Sequence, residues 1–479
     1  MTRELVLALD LGTTGVRALV VRADGAIRGR AWRPLAMRFP APGHVEQDPE
    51  AWWSESQAVM RAALAEARAS AAELAALAVV TQRATALAWE PGGRALAPAI
   101  GWQDARTQAR VAELRARGIP VSTLASATKL EWLLGSAPAV RETARGGRLR
   151  LGTPDAFLTD RLTGGTAFVT DPGSASVTAL FDLRARDWRP GALALFGIER
   201  AWLPAVVATS AVVGETPASL LGAPVPVAAR AGDQQAAAFA QGVHAPGAAK
   251  LTIGTSAMLD LHTGVSPERP RAGAWPLALW TLPDGTSAFA LEGTVITAGA
   301  ALEWLVDLGL VSAASELDRL AANVASSEGV AFVPALQGLG TPWLDEGARG
   351  LWCGLGRATR PAHLARAVLE GVAQRCADLC EALALPDGPL RVDGGAARSR
   401  LLLGLLADYT GRVVERAAEV ETTALGAAFL AGLATGVWRS PADALACAAP
   451  PERIEPRLDA AGRETQREAW RRIVARARG

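Results

Sequence analysis

The chain has 479 residues, half of them hydrophobic and a fifth charged, with a formal net charge of +1. That length exceeds one ordinary core and makes two large domains the expectation. A charge so close to zero gives no electrostatic reason to propose nucleic acid or an anionic membrane as partner.

No apolar run reaches the roughly 18–20 residues that a bilayer crossing needs. The opening MTRELVLALDLG carries no leader layout, so the expected location is cytoplasmic. Basic residues are almost all arginine. Lys129 and Lys250 are the only lysines, which reads as a compositional bias without a binding function. Cys376 and Cys380 lie one helical turn apart, but nothing nearby completes a zinc site. Together with Cys353 and Cys447 they are expected as buried, reduced thiols.

In chain order, ELVLALD, LGTTG and VRALVVRADG predict strand, glycine turn, strand, with a third strand over Ala26–Arg33. In HVEQDPEAWW, Asp48 before Pro49 is a helix start, and the helix is expected to run to about Ala69. A buried strand at Leu77–Val80 leads into Thr81-Gln82-Arg83. Near Val225 the strand VPVAAR ends in Ala-Gly-Asp-Gln-Gln and a helix follows. Glycine and proline within Gln241–Lys250 mark a domain junction. Lys250–Thr263, KLTIGTSAMLDLHT, then repeats the strand–turn–strand design of the opening. Alternating short strands and alanine-rich helices argue an α/β class. Two hairpins of one design suggest a duplicated domain, divided as 1–243 and 244–479. Helices are expected at Thr297–Asp307, Pro361–Leu383 and over TTALGAAFLAGLATG, with strands at Leu390–Gly395 and near Val413–Glu415. A basic amphipathic helix with a solvated face closes the chain at Arg463–Arg478.

A phosphate needs converging backbone N–H groups, and glycine lets the backbone come close. Gly12-Thr13-Thr14-Gly15 and Gly254-Thr255-Ser256 each offer such a turn, with Arg17 just beyond the first. Asp10 ends the first strand where a carboxylate can hold magnesium. The absence of GxxxxGK[ST] excludes a P-loop. Asp233, between strand and helix, reads either as a helix N-cap or as the base that takes a proton during phosphoryl transfer, with Gln234 as a neutral companion. Gly299 and the pair Gly394-Gly395 either admit a nucleoside or serve close packing; the sequence leaves both open.

With these residues in view, the chain resembles the FGGY family of carbohydrate kinases, and within it the glycerol kinases, over essentially its whole length. The blocks that carry the resemblance include ALDLGTTGVRALV, IGWQDART, SATKLEWLL, TDPGSAS, AGDQQAA, IGTSAML, LEGTVITAGAALEWL, GLWCGLGRATRPAHLARAVLEG and LRVDGGAARSR. The resemblance implies an actin-like ATPase (ribonuclease H-like) fold of two duplicated domains with an inter-domain cleft, the first binding the acceptor and the second ATP. It implies Mg2+-ATP, with metal at Asp10 and Asp233. Gly12, Thr13, Thr14, Arg17, Gly254 and Thr255 would lie near the phosphates, and Gly299, Glu303, Gly395 and Ser399 near the nucleoside. Asp233 would be the general base, and Arg83, Ala84, Trp102, Leu124, Gln234 and Met258 would border a small polyol or sugar. Homodimers or homotetramers are the family's habit.

Departures bear on the acceptor. Glycerol kinases usually read Gln-Arg-Glu where this chain has Gln82-Arg83-Ala84. Losing that carboxylate removes a charged hydrogen bond of roughly 1.5–3 kcal/mol, on the order of ten- to hundredfold in affinity. Leu124 stands where an aromatic phenol is usual, Met258 where phenylalanine is usual, and Ser399 replaces an asparagine. The stretch before Asp233 is too short for the loop through which some glycerol kinases bind a sugar bisphosphate. The expected activity is therefore phosphorylation of a primary hydroxyl, with glycerol leading and a tetritol or ketopentose (a xylulokinase-like activity) next. A non-catalytic actin-like filament subunit or sugar sensor is the rival from another class.

Overall fold

A computed structural model describes residues 3–419 and 421–478. The chain falls into two compact units: Met1–Gly242 with Leu277–Ala288 and Glu421–Ala448, and Val243–Pro276 with Phe289–Val420 and Ala449–Gly479.

The first unit opens with β1 (Leu5–Leu11), β2 (Gly15–Arg22) and β3 (Ile27–Pro34), an antiparallel meander. Helix α1 (Pro49–Ala67) starts as its sequence requires: Asp48 is the N-cap, its side chain accepting from the Glu50 amide, and Pro49 fills the first turn. After β4 (Leu74–Thr81) come β5 (Ser210–Glu215), β6 (Pro226–Gly232) and α2 (Asp233–Ala240). The sheet order is β5-β6-β4-β1-β2-β3, with β1, β4 and β6 parallel. These central strands are buried on both faces and read as continuous apolar runs, as covered parallel strands do.

The chain continues with β7 (Ala249–Ile253), β8 (Ala257–Gly264), β9 (Trp275–Thr281), β10 (Ser287–Val295), α3 (Gly299–Asp307), α4 (Pro361–Ala382), β11 (Leu390–Asp393), α5 (Arg400–Thr410) and β12 (Val414–Arg416), all in the second unit except for Leu277–Ala288, which spans most of β9 and the start of β10. Helix α6 (Thr422–Thr435) belongs to the first unit, and the chain ends with β13 (Glu452–Ile454) and α7 (Ala460–Ala477). The sheet order here is β9-β10-β8-β7-β11-β12-β13. Strands β10, β8 and β7 are successively antiparallel, β7, β11 and β12 are parallel, and β13 runs antiparallel to β12. From β10 to β13 this repeats β3-β2-β1-β4-β6-β5, with β9 as an additional edge strand. The duplication suggested by two short hairpins extends to six strands of each sheet, which is the duplicated actin-like ATPase arrangement.

The chain is not simply halved near 243, because Leu277–Ala288 and α6 return to the first unit. The α6 sequence TTALGAAFLAGLAT is apolar around nearly the whole circumference, and such a helix must be covered on several sides. The final helix is amphipathic as expected, with Arg471, Arg472 and Arg476 exposed, but its other face is anchored. Arg467, Trp470 and Val474 are buried, and Arg467 donates to Gln374 and Glu381 and pairs with Asp378. Cys376 and Cys380 are buried, whereas Cys353 and Cys447 are half-buried; all four are free thiols. Among the described residues no helix is long and apolar enough to cross a membrane.

Candidate active site

In the first unit the register of the opening hairpin sets Asp10 opposite Arg17, and Arg17 Nε lies 3.4 Å from Asp10 Oδ2. Arg17 also pairs with Glu421, the residue before α6. Asp10 is buried, and its carboxyl is pushed up to about 6, chiefly by loss of hydration; Arg17 opposes the shift and Asp233 adds to it. Asp10 therefore senses the charge of Asp233.

The turn between β1 and β2 is closed by Gly12 N–H donating to Gly15 O at 2.9 Å, which leaves the Thr13 and Thr14 amides at its tip. Thr14 is exposed. Thr13 Oγ1 accepts from Trp102 Nε1 at 2.9 Å and donates to Gln82 Oε1 at 3.3 Å. Gln82 Nε2 donates to Gln47 Oε1, and Gln47 Nε2 to Thr13 O, each at 2.8 Å. Thr85 Oγ1 donates to Gln82 Oε1 at 3.3 Å and accepts the Trp102 amide at 3.1 Å. A single polar network thus joins the glycine turn to the segment carrying Arg83 and Ala84.

Asp233 is the first residue of α2; the N-cap is Gly232, so the cap reading of Asp233 is corrected. Its carboxylate accepts from the Gln234 amide at 2.7 Å, lies 3.4 Å from Arg83 Nε, and remains one-third exposed. Ala84 is buried with φ +62°, a left-handed conformation uncommon outside glycine. Leu124 is exposed.

In the second unit Gly254 N–H donates to Ser256 O at 2.9 Å, closing a turn whose Thr255 is exposed. Met258, two residues beyond, is half-buried on β8. Gly299 serves close packing: its amide donates to Gly254 O at 2.8 Å, and a Cβ there would lie 2.4 Å from that oxygen. Glu303 on the same helix is exposed. Gly395 is the opposite case, exposed and with nothing within 4 Å of the place a Cβ would take. Ser399 caps α5, accepting the Leu402 amide at 3.0 Å, and donates to Asp318.

Gln47, Thr85 and Glu421 were missed at the level of sequence. Gln47 and Glu421 stand in the stretches HVEQDP and ETTALG, but their partners are far along the chain and no local spacing links them.

Residues 5–240 match the profile described as FGGY family of carbohydrate kinases, N-terminal domain, and residues 249–435 match its C-terminal domain. The chain belongs to the FGGY family of carbohydrate kinases. A glycerol kinase of Aromatoleum aromaticum is 45% identical over 99% of each chain, and one of Deinococcus radiodurans is 40% identical over 99% of this chain and 98% of its own. Among solved structures, Plasmodium falciparum glycerol kinase with ADP superposes with a TM-score of 0.91 at 25% identity, covering 99% of this chain and 98% of its own. Xylulose kinase from Rhodospirillum rubrum gives 0.84 at 28% identity, covering 98% of each. This FGGY chain is an enzyme, a kinase of small carbohydrates or polyols, which removes the non-catalytic filament or sensor as a reading.

Proposed function

We propose that this FGGY kinase transfers the γ-phosphoryl group of ATP to a primary hydroxyl of a small polyol, with glycerol as the leading acceptor. The observation that carries the reading is Asp233. It is a partly exposed carboxylate at a strand-to-helix junction, held by Arg83 and close enough to Asp10 to shift its ionisation. Open α/β sheets present ligands at the carboxyl ends of their parallel strands.

In this mechanism Arg83 and Trp102 orient the acceptor, with Gln234 and Met258 at its border. Asp233 accepts the hydroxyl proton as the new O–P bond forms and the bond to ADP breaks. The Thr13–Thr14 and Thr255 turns, with Arg17, receive phosphate oxygens on backbone and side-chain donors, and Gly395 borders the nucleoside. Since phosphoryl transfer proceeds through a loose transition state, most of the catalysis is positioning and electrostatics. Asp10 and Asp233 fit a divalent cation: burial is the main cause of the raised Asp10 pKa and the charge of Asp233 adds to it, and Mg2+ is commonly held by one or two carboxylates plus substrate phosphates and water. Bound there, Mg2+ supplies charge neutralisation for the phosphates.

A longer acceptor, a tetritol or ketopentose, is the second reading. It is favoured by the methyl side chain at Ala84 and by exposed Leu124. Phosphorylation of glycerol, dihydroxyacetone, tetritols and ketopentoses by the purified enzyme, followed as acceptor-dependent ADP release, decides between the two. ATP consumption that no acceptor stimulates would overturn both.

A further inference from the structure

Of the 49 lysines and arginines only Lys129 and Lys250 are lysine, and both are fully buried. Every exposed basic position carries arginine. Arginine is also used in the interior: Arg230 donates to the carbonyls of Ala208 and Ala211, and Arg375 and Arg467 pair with Asp378.

The site of Lys129 has a particular composition. It lies in the helix Ala127–Ser136, and its Nζ donates to Trp102 O at 3.0 Å and to Ala84 O at 3.4 Å. Ser126 Oγ, at the head of the same helix, donates to Ala84 O at 3.2 Å. Both carbonyls belong to the segments that carry the acceptor-side residues. Ala84 is the left-handed residue following Arg83, and two donors fix its peptide plane. Trp102 is held at its amide by Thr85, at its indole by Thr13 and at its carbonyl by Lys129.

We propose that Lys129 is a positioning residue of the acceptor site, its ammonium clamping the Ala84 and Trp102 carbonyls so that Arg83 and the Trp102 indole hold their directions. The inference rests on the acceptor site assigned above. The charged groups that act on the ammonium are Asp104, which favours it, and Arg106, which opposes it. Burial is the largest influence and brings its pKa down to about 7. The clamp is therefore mostly charged near pH 6 and mostly a neutral, weaker donor near pH 8.

The test is Lys129→Met, which keeps the stem and removes the donor, assayed on the best acceptor of the wild type. The expected result is an acceptor KM raised about tenfold or more, with the ATP KM within about twofold and the melting temperature near wild type. In the wild type the acceptor KM should rise between pH 6 and 8, and in Lys129→Met that dependence should be lost. An unchanged acceptor KM, or acceptor and ATP constants rising together, overturns the proposal. Should Lys129→Met fail to fold, Ser126→Ala removes the other side-chain donor to Ala84 O. An acceptor KM raised about two- to fivefold supports the clamp, and an unchanged one overturns it. A wild type that phosphorylates no acceptor sinks the functional reading instead, so the two failures are distinguishable.

Discussion

Trp102 Nε1 donates to Thr13 Oγ1 at 2.9 Å, so a residue proposed to line the acceptor and one proposed to meet phosphate share one hydrogen bond. Removing the donor with Trp102→Phe should disturb both substrates. A neutral hydrogen bond is worth about 0.5–1.5 kcal/mol net, so acceptor and ATP KM should each rise about two- to tenfold in two-substrate kinetics. A rise in the acceptor constant alone would show that the bond does not link the two.

Asp233→Ala should lower kcat by about 10²–10⁴, the usual worth of a positioned general base. ATP binding, measured by calorimetry, should stay within about threefold. Survival of turnover within about tenfold of wild type removes Asp233 from the role of base.

The pH dependence of stability follows from Asp10. Its ordinary value is 3.8, and burial first of all raises it to about 6 in the folded chain. A carboxyl raised on folding contributes stability that is fully present below about pH 4 and is lost as the pH climbs through about 6. Asp155 is likewise raised to about 6, and Asp171 is raised, both mainly by burial. Without nucleotide or Mg2+, Asp10→Asn should therefore melt a few degrees above wild type at pH 7.5 and close to it at pH 4.5. A difference that does not change with pH, or one of opposite sign, contradicts the assignment.

Two glycines give a contrasting pair. A Cβ at Gly426, on α6, would lie 1.8 Å from Ala236 O on α2, the helix headed by Asp233. Glycine to alanine within a helix ordinarily gains about 0.5–1 kcal/mol, but here the overlap should win. Gly426→Ala is expected to cost about 1–3 kcal/mol in denaturant unfolding and to lower kcat. Gly395→Ala should leave stability within about 0.5 kcal/mol and raise the ATP KM severalfold. An unchanged ATP constant argues against a nucleoside beside Gly395.

Ala84→Glu should shift preference toward glycerol by about tenfold, since a hydrogen bond to a carboxylate is worth roughly 1.5–3 kcal/mol. The backbone there is already left-handed with a non-glycine residue, so the exchange adds a side chain without asking for a new conformation. The ratio of kcat/KM for glycerol to that for a tetritol is the measurement. An unchanged or falling ratio contradicts this account of the pocket.

Much of the architecture was legible because its signals are local. The two glycine turns, Asp48 before Pro49, and the strand-to-helix step at Asp233 each declare themselves within a few residues. The site was legible only in part. Nothing near Gln47 announces that it braces the Thr13 carbonyl, and Glu421 meets Arg17 from the other end of the chain. Gly299 and Gly395 looked alike in the sequence, yet one is pressed against a backbone oxygen and the other stands open. Only the fold supplies the neighbour that tells them apart. The fate of α6 was illegible for a related reason: an all-round apolar helix states that it needs covering but not by what.

The scarcity of lysine has a practical side. A protease that cuts only after lysine finds two sites in 479 residues, one in each compact unit, and both side chains are enclosed in the folded protein. Cleavage must wait for the surrounding structure to open, and its rate reports how often that happens. Scission after residue 129 reports on one unit and scission after residue 250 on the other. Fragment sizes alone can therefore rank the opening frequencies of the two units, with no label attached and no residue exchanged.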